Sequence, residues 1–72
     1  MISKDDEKNR KKLGERLKNA REKLSLTQAE VATKAGLNAN YYAVVERGEG
    51  NLSFEKLQRI MKVLDIKSLD IL

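Results

Sequence analysis

The 72-residue chain contains no cysteine, histidine, proline or tryptophan, and it has only four glycines, two tyrosines and one phenylalanine. The lack of cysteine and histidine excludes disulfides, thiol chemistry and the usual zinc ligands. No apolar run approaches the ~20 residues of a transmembrane helix, and the charged N-terminus has no apolar signal-peptide segment. We therefore expect a cytoplasmic protein with no metal site and no membrane contact, and a compact all-α fold.

The net charge of +4 lies entirely in the first third of the chain. Residues 1–24 contain nine basic and five acidic side chains, whereas residues 25–72 contain six of each. A basic surface attracts nucleic acid because binding releases counterions from the phosphates. Taken alone, however, this distribution favours a solvated, charge-rich helix.

Apolar spacing predicts one domain over residues 9–72, preceded by a flexible arm at residues 1–8, where charges of both signs crowd together. A first helix is expected from about Asn9, with one apolar stripe that recurs at helical spacing. The stripe consists of Leu13, Leu17, Ala20 and Leu24. Gly14 weakens this helix by up to ~1 kcal/mol relative to alanine, and nothing in the sequence explains its presence.

The middle of the chain predicts two short helices joined by a tight turn. Thr27 and Glu30 fit a T-x-x-E capping box that starts the first of them, and Gly36 fits its left-handed end. Asn38 is an N-cap for the second helix, which runs to about Arg47. Such a pair forms a helix-turn-helix, with its second helix available to the DNA major groove. Spacing alone fits a plain αα-hairpin equally well.

The C-terminal third predicts a helix capped by Ser53 and ending at about Leu64, with Phe54 as a core anchor and a last short turn at residues 68–72. This third has more apolar residues than one small core can hide, which predicts a partner surface, most economically in a twofold dimer. The patch comprises Val63, Ile66, Leu69, Ile71 and Leu72. The alternative is that the chain continues beyond residue 72 and covers the patch.

Several residues resemble the pattern of the phage-repressor-like, or XRE-type, helix-turn-helix family. They are Gln28, Ala32, Gly36, Tyr42 and Val45, followed by Glu46, Arg47 and Gly48. The likeness runs from about Leu13 to Leu72 and includes "LTQAEVATKAGL", "VVERG" and "LSFEKLQRIMKVLDI". It implies a four- to five-helix, lambda-repressor-like DNA-binding domain. Within the family, "GLNANYY" and "ERGEGNLS" are most similar to controller proteins of restriction–modification systems.

The resemblance also implies which residues touch the DNA backbone. In the family, the glutamine at the position of Gln28 bonds a phosphate, helped by amides at the helix N-terminus. Tyr41, Arg47 and Asn51 are further candidate phosphate donors. Three of the four have an alternative role: Gln28 as a solvated helix start, Tyr41 as surface packing, and Arg47 as a charge that complements the helix C-terminus.

Base reading is assigned to the outer face of the second helix of the pair, at Ala39, Asn40, Ala43 and Val44. The family usually carries polar side chains there. In this chain only Asn40 can make a directional base contact, and asparagine is suited to adenine. The other three offer apolar contact to a thymine methyl group. Tyr42 is expected to be buried, with its hydroxyl at a polar edge.

In the resembled family, an arginine at the position of Arg21 pairs with the glutamate that ends the third helix, here Glu46. We therefore expect a partly buried, bidentate ion pair that fixes the angle of the reading helix. Removal of one partner would leave a buried charge without compensation.

The function implied is a sequence-specific, double-stranded-DNA-binding transcriptional regulator, a homodimeric controller or repressor that acts at a palindromic operator. The alternative is an antitoxin-like or adaptor module that binds another protein, which the nearly bare reading face favours. An enzyme is not expected, because the sequence has no Ser-centred, Gly-rich or paired-carboxylate motif at a useful spacing. No cofactor and no small-molecule ligand are expected.

Overall fold

A computed structural model describes residues 4–67, with side chains from residue 7 onward. This part of the chain is all-helical and contains four helices: α1 (Lys4–Lys23), α2 (Gln28–Ala35), α3 (Ala39–Glu46) and α4 (Phe54–Val63). The last turn that the sequence predicts at residues 68–72 lies outside the described residues. None of the four helices is both long enough and apolar enough to cross a bilayer.

The first helix starts at Lys4, earlier than the predicted start at about Asn9. The segment before Asn9 lacks an apolar stripe, but Lys, Glu and Arg are good helix formers, and no glycine interrupts them before Gly14. The prediction was wrong because it relied on apolar periodicity, which a solvated helical extension does not need. The division into an arm and a domain stays a prediction.

The caps around the central helix pair lie where the sequence predicts them. Thr27 Oγ1 accepts from the Glu30 backbone N–H at 3.1 Å, and Glu30 Oε1 accepts from the Thr27 backbone N–H at 2.9 Å. Gly36 ends α2 in the left-handed region at φ 70°. Asn38 Oδ1 accepts from the first-turn amides of α3, at 2.8 and 3.2 Å. Local hydrogen bonds therefore fix both ends of the turn.

The core lies between the four helices: α3 packs against α1 and α2, and α4 packs against α2. The largest fully buried side chains are Leu17, Val31, Tyr42 and Ile60, one from each helix. Burial of an aliphatic or aromatic side chain of this size contributes about 1.5–3 kcal/mol. The remaining buried apolar residues are Ala20, Ala32, Ala35, Val45, Leu64 and Ile66.

Three apolar residues do not lie where the sequence predicts them, and two of these three are exposed where burial was predicted. Phe54, predicted to anchor the core, is 74% exposed, because it lies six residues before Ile60 and hence about 120° around α4 from it. Leu24, predicted to extend the stripe of α1, is 46% exposed. The helix ends before it, and Ser25 turns the backbone to a φ of 58°.

Ile66, predicted as part of a partner surface, belongs to the core at 8% exposure. Asp65 turns the backbone at φ 55°, and the Ile66 backbone N–H then donates to the Met61 carbonyl at 2.9 Å. This reversal brings Ile66 back against the helices. Val63 is partly buried against the same core. The other members of the predicted patch, Leu69, Ile71 and Leu72, lie outside the described residues.

Candidate nucleic-acid interface

The outer face of α3 carries the four residues that were assigned to base reading. Ala39 and Asn40 are exposed in its first turn, and Ala43 and Val44 are half-buried one turn later. The Asn40 side chain makes no hydrogen bond within the described residues, because the bond to the Asn38 cap uses its backbone N–H. Its amide is therefore available to a ligand from outside the monomer.

Gln28 is half-buried at the start of α2, and its side chain has a partner that the sequence did not predict. Its Nε2 donates to Glu46 Oε1 at 2.9 Å. The second Nε2 hydrogen and the side-chain carbonyl oxygen have no partner among the described residues. The bond restricts the orientation of the Gln28 amide at the point where the α2 amides favour an anion.

Tyr41 supports the loop after α3 instead of presenting a free donor. Its hydroxyl donates to the backbone carbonyl of Asn51, and Lys56 Nζ lies 4.8 Å from its ring centroid. Burial raises the pKa of the Tyr41 hydroxyl above its usual value. Tyr41 would have to give up this bond to donate to a phosphate, and its assignment as a phosphate donor stays a prediction.

The other two backbone candidates, Arg47 and Asn51, are exposed beside the end of α3. Arg47 Nε lies 3.4 Å from Glu49 Oε1, and both side chains are more than half exposed. Solvent screens such a pair, which is worth about 0–1 kcal/mol, so Arg47 can exchange it for a phosphate at little cost. Asn51 Oδ1 accepts from Arg10 Nη2 at 3.1 Å, which leaves the Asn51 side-chain N–H groups as donors.

A buried ion pair joins α1 to α3 behind this surface. Arg21 Nε donates to Glu46 Oε2 at 2.7 Å, and Arg21 Nη2 donates to Glu46 Oε1 at 3.1 Å. The bidentate geometry that the resemblance implied is therefore present. Arg21 Nη1 also donates to the Leu26 carbonyl at 2.9 Å. Because Gln28 donates to the same carboxylate, this group of side chains links α1, α2 and α3.

The Glu46 side chain is only 2% exposed, and the Arg21 side chain is 13% exposed. Burial alone raises the pKa of the Glu46 carboxyl, but the hydrogen bonds from Arg21 and Gln28 and the charge of Arg21 outweigh it. The net pKa of Glu46 is therefore below its ordinary value. The hydrogen bond to Glu46 is also the main cause that raises the pKa of Arg21, so both groups stay charged at neutral pH.

Tyr42 is fully buried beside this pair, as the sequence predicts. Its hydroxyl makes no hydrogen bond of normal geometry within the described residues. Burial raises its pKa, and the Glu46 carboxylate raises it further. Because no hydrogen bond of normal geometry joins the two side chains, the Glu46 carboxylate acts on the Tyr42 hydroxyl through its charge.

A helix with an exposed outer face that follows a capped partner helix across a glycine-containing turn, within a domain of four helices, defines a phage-repressor-like helix-turn-helix domain. The chain belongs to the XRE-type helix-turn-helix family: the profile described as Helix-turn-helix (HTH_3) matches residues 17–72. No solved structure matches the chain.

The chain is also similar to a curated protein, the cryptic phage CTXphi transcriptional repressor RstR of Vibrio cholerae serotype O1. The two are 39% identical over 55 residues, which are 76% of this chain and 49% of that repressor. The chain thus matches about half the length of this relative.

Proposed function

We propose that this domain is a sequence-specific, double-stranded-DNA-binding transcriptional regulator that inserts α3 into the major groove. The observation that carries the proposal is the uncovered N-terminal face of α3, where the Asn40 amide has no partner in the described chain. The similarity to a phage transcriptional repressor supports it. The mechanism is equilibrium binding at an operator, and no bond is made or broken.

The proposed contacts are of two kinds: phosphate contacts, which position the domain on the DNA, and base contacts, which distinguish one sequence from another. Gln28, Arg47 and the Asn51 side chain hold phosphates on either side of α3 and set its register. Asn40 bonds one adenine, and the Ala39 and Ala43 methyl groups contact thymine methyls. A single directional reader gives modest direct readout, so the shape and deformability of the operator supply much of the discrimination.

We also propose that two copies bind together at a palindrome. At 1.5 Å per residue, the eight residues of α3 extend about 12 Å, which covers only part of one DNA turn. A second copy one helical turn away would double the contacts and would bind the other half of a twofold operator. The likeness of "GLNANYY" and "ERGEGNLS" to restriction–modification controller proteins supports a regulator of its own operon.

The test begins with selection of binding sites from random duplexes, followed by titration of the selected duplex at several salt concentrations. Asn40→Ala should reduce the ratio of selected-site to random-site affinity by about 5- to 150-fold, because one base contact carries ~1–3 kcal/mol. Gln28→Ala should weaken binding to all duplexes alike. Asn19→Ala, which removes an exposed amide on α1, is the control and should change neither quantity.

The wild-type titration should saturate at two chains per duplex. The absence of any salt-sensitive, sequence-selective binding at micromolar protein would defeat the proposal. So would an Asn40→Ala variant that keeps the full affinity ratio.

Two observations favour an alternative function, that of a protein-interaction module. The reading face carries one polar side chain among its four assigned residues, and Phe54 is 74% exposed at the start of α4. A protein-interaction function predicts that the wild-type chain fails to select any duplex. It also predicts that Phe54→Ser abolishes capture of a protein partner without loss of stability.

A further inference from the structure

In the described part of the chain, the Tyr42 hydroxyl is the single buried side-chain polar group without a hydrogen-bond partner of normal geometry. Burial of a hydroxyl without a partner costs free energy, so such groups are rare in folded proteins. Tyr42 lies on α3 one turn before Glu46 and is fully buried. The cost is recovered if the hydroxyl is bonded in another state of the protein.

The Glu46 carboxylate is the acceptor beside this hydroxyl. Tyr42 and Glu46 are four residues apart on α3, a spacing that brings helical side chains together. The Tyr42 hydroxyl also contributes to lowering the pKa of the Glu46 carboxyl. Because burial raises the pKa of Tyr42, its hydroxyl keeps its proton at neutral pH and can act as a donor. A donor and an acceptor are therefore neighbours, although no bond of normal geometry joins them.

Three other bonds hold the Glu46 carboxylate in its present orientation. Arg21 donates to both of its oxygens, at 2.7 and 3.1 Å, and Gln28 Nε2 donates to Oε1 at 2.9 Å. Oε1 therefore uses both of its lone pairs, whereas Oε2 accepts one bond from these donors and keeps a second lone pair. Loss of the Gln28 bond would leave the carboxylate on Arg21 alone and allow it to shift toward the Tyr42 hydroxyl.

Gln28 is the donor that can leave this carboxylate. It is half-buried at the start of α2, whereas the Arg21 side chain is 13% exposed and also donates to the Leu26 carbonyl. A phosphate oxygen at the start of α2 would compete for the Gln28 N–H, because it is charged and is not already shared with a guanidinium.

We propose that Tyr42 is a positioning residue that replaces Gln28 as a donor to the Glu46 carboxylate when Gln28 turns to a DNA phosphate. This inference rests on the proposed DNA-binding function and adds to it an exchange of donors inside the domain. The Tyr42 bond keeps the buried carboxylate fully bonded, which lowers the free energy needed to release the Gln28 amide. Tyr42 therefore contributes to DNA affinity from a buried position, without touching the DNA.

A double-mutant cycle of Tyr42→Phe and Gln28→Ala, followed by urea unfolding, tests the exchange without DNA. In the wild-type chain, Tyr42→Phe removes an unbonded hydroxyl and should leave the unfolding midpoint unchanged or raise it. In the Gln28→Ala chain, the hydroxyl is bonded to Glu46, so Tyr42→Phe should lower the midpoint. In the control chain Asn19→Ala, Tyr42→Phe should act as it does in the wild type. An equal effect of Tyr42→Phe with and without Gln28 would overturn the exchange.

Titration of the selected duplex tests whether DNA drives the exchange. Tyr42→Phe should weaken binding to every duplex by about 2- to 12-fold, the net contribution of one hydrogen bond, and by no more than Gln28→Ala does. In the Gln28→Ala chain, Tyr42→Phe should leave the affinity unchanged.

The two experiments separate failure of the exchange from failure of the proposed function. If the wild type selects a duplex and Tyr42→Phe binds it as tightly, Gln28 keeps its bond to Glu46 in the complex. The exchange is then wrong, and the proposed function stands. If the unfolding cycle gives the expected result but the wild type selects no duplex, DNA is overturned as the trigger, and the proposed function fails with it.

Discussion

Gly14→Ala should lower the free energy of unfolding by about 2 kcal/mol, although alanine is the better helix former. Propensity alone predicts a gain of up to ~1 kcal/mol in the middle of a helix such as α1. A Cβ at Gly14, however, would lie 2.3 Å from the Glu46 carbonyl oxygen and 2.9 Å from that of Val45. These are backbone atoms at the end of α3, so the helices must move apart. Overpacking of this kind costs about 1–3 kcal/mol or more.

The measurement is urea unfolding followed by circular dichroism, with Asn19→Ala as the control on the same helix. Asn19 is exposed, so its replacement should leave stability unchanged or raise it by up to ~0.7 kcal/mol. A Gly14→Ala protein as stable as the wild type would show that α1 and α3 do not approach as closely as described. The same variant should also weaken DNA binding, because the contact sets the position of α3.

Arg21→Met should cost more, about 3–5 kcal/mol, because it leaves the Glu46 carboxylate buried without its charged partner. Only the Gln28 amide would remain on a side chain that is 2% exposed. A domain of this size has a few kcal/mol of total stability, so the variant should be largely unfolded at 25 °C. Its unfolding is best measured in an excluded osmolyte such as sucrose, which favours the compact state.

The double variant Arg21→Met, Glu46→Leu removes both charges and should recover much of the loss, since an apolar pair of similar volume often replaces a buried ion pair without penalty. If Arg21→Met melts at the wild-type temperature, the Arg21–Glu46 pair contributes nothing to stability and the stranded-charge explanation is wrong. If the double variant is no better than the single one, the loss comes from packing and not from the stranded charge.

The pH dependence gives a second check on the same pair. The pKa of Glu46 is lower in the folded chain than its ordinary value of 4.5, so its contribution is complete above about pH 4.5 and is lost as pH falls through the folded pKa. Wild-type stability should therefore decline below that pH, and the double variant should decline less. Some decline should remain, because the backbone amide and hydroxyl of Thr27 also lower the pKa of Glu30.

The sequence predicted the central helices well because their limits depend on local hydrogen bonds. The Thr27–Glu30 box, Gly36 and Asn38 act within three or four residues of their own positions. Leu24 and Ile66 were misplaced because single residues with positive φ redirect the chain beside them, and periodicity assumes that a helix continues. Gly14 could not be explained at all, since its reason is a contact with the distant end of α3.

Some residues of the candidate site could likewise be predicted from the sequence, and others could not. Position along α3 was sufficient to place Ala39, Asn40, Ala43 and Val44 on one face. The resemblance supplied the Arg21–Glu46 pair, which spacing cannot predict. The path of the loop after α3 was not predictable, so the use of the Tyr41 hydroxyl within the protein and the position of Arg10 opposite the loop were missed.

The central claim is that the outer face of α3 is the surface that meets DNA, and a map of amide chemical shifts on addition of the selected duplex tests it most directly. We predict that the largest changes fall on residues 39–44 and at the start of α2 near Gln28, with small changes in the last turn of α4. Saturation with that duplex while the α3 amides remain unshifted would contradict the claim.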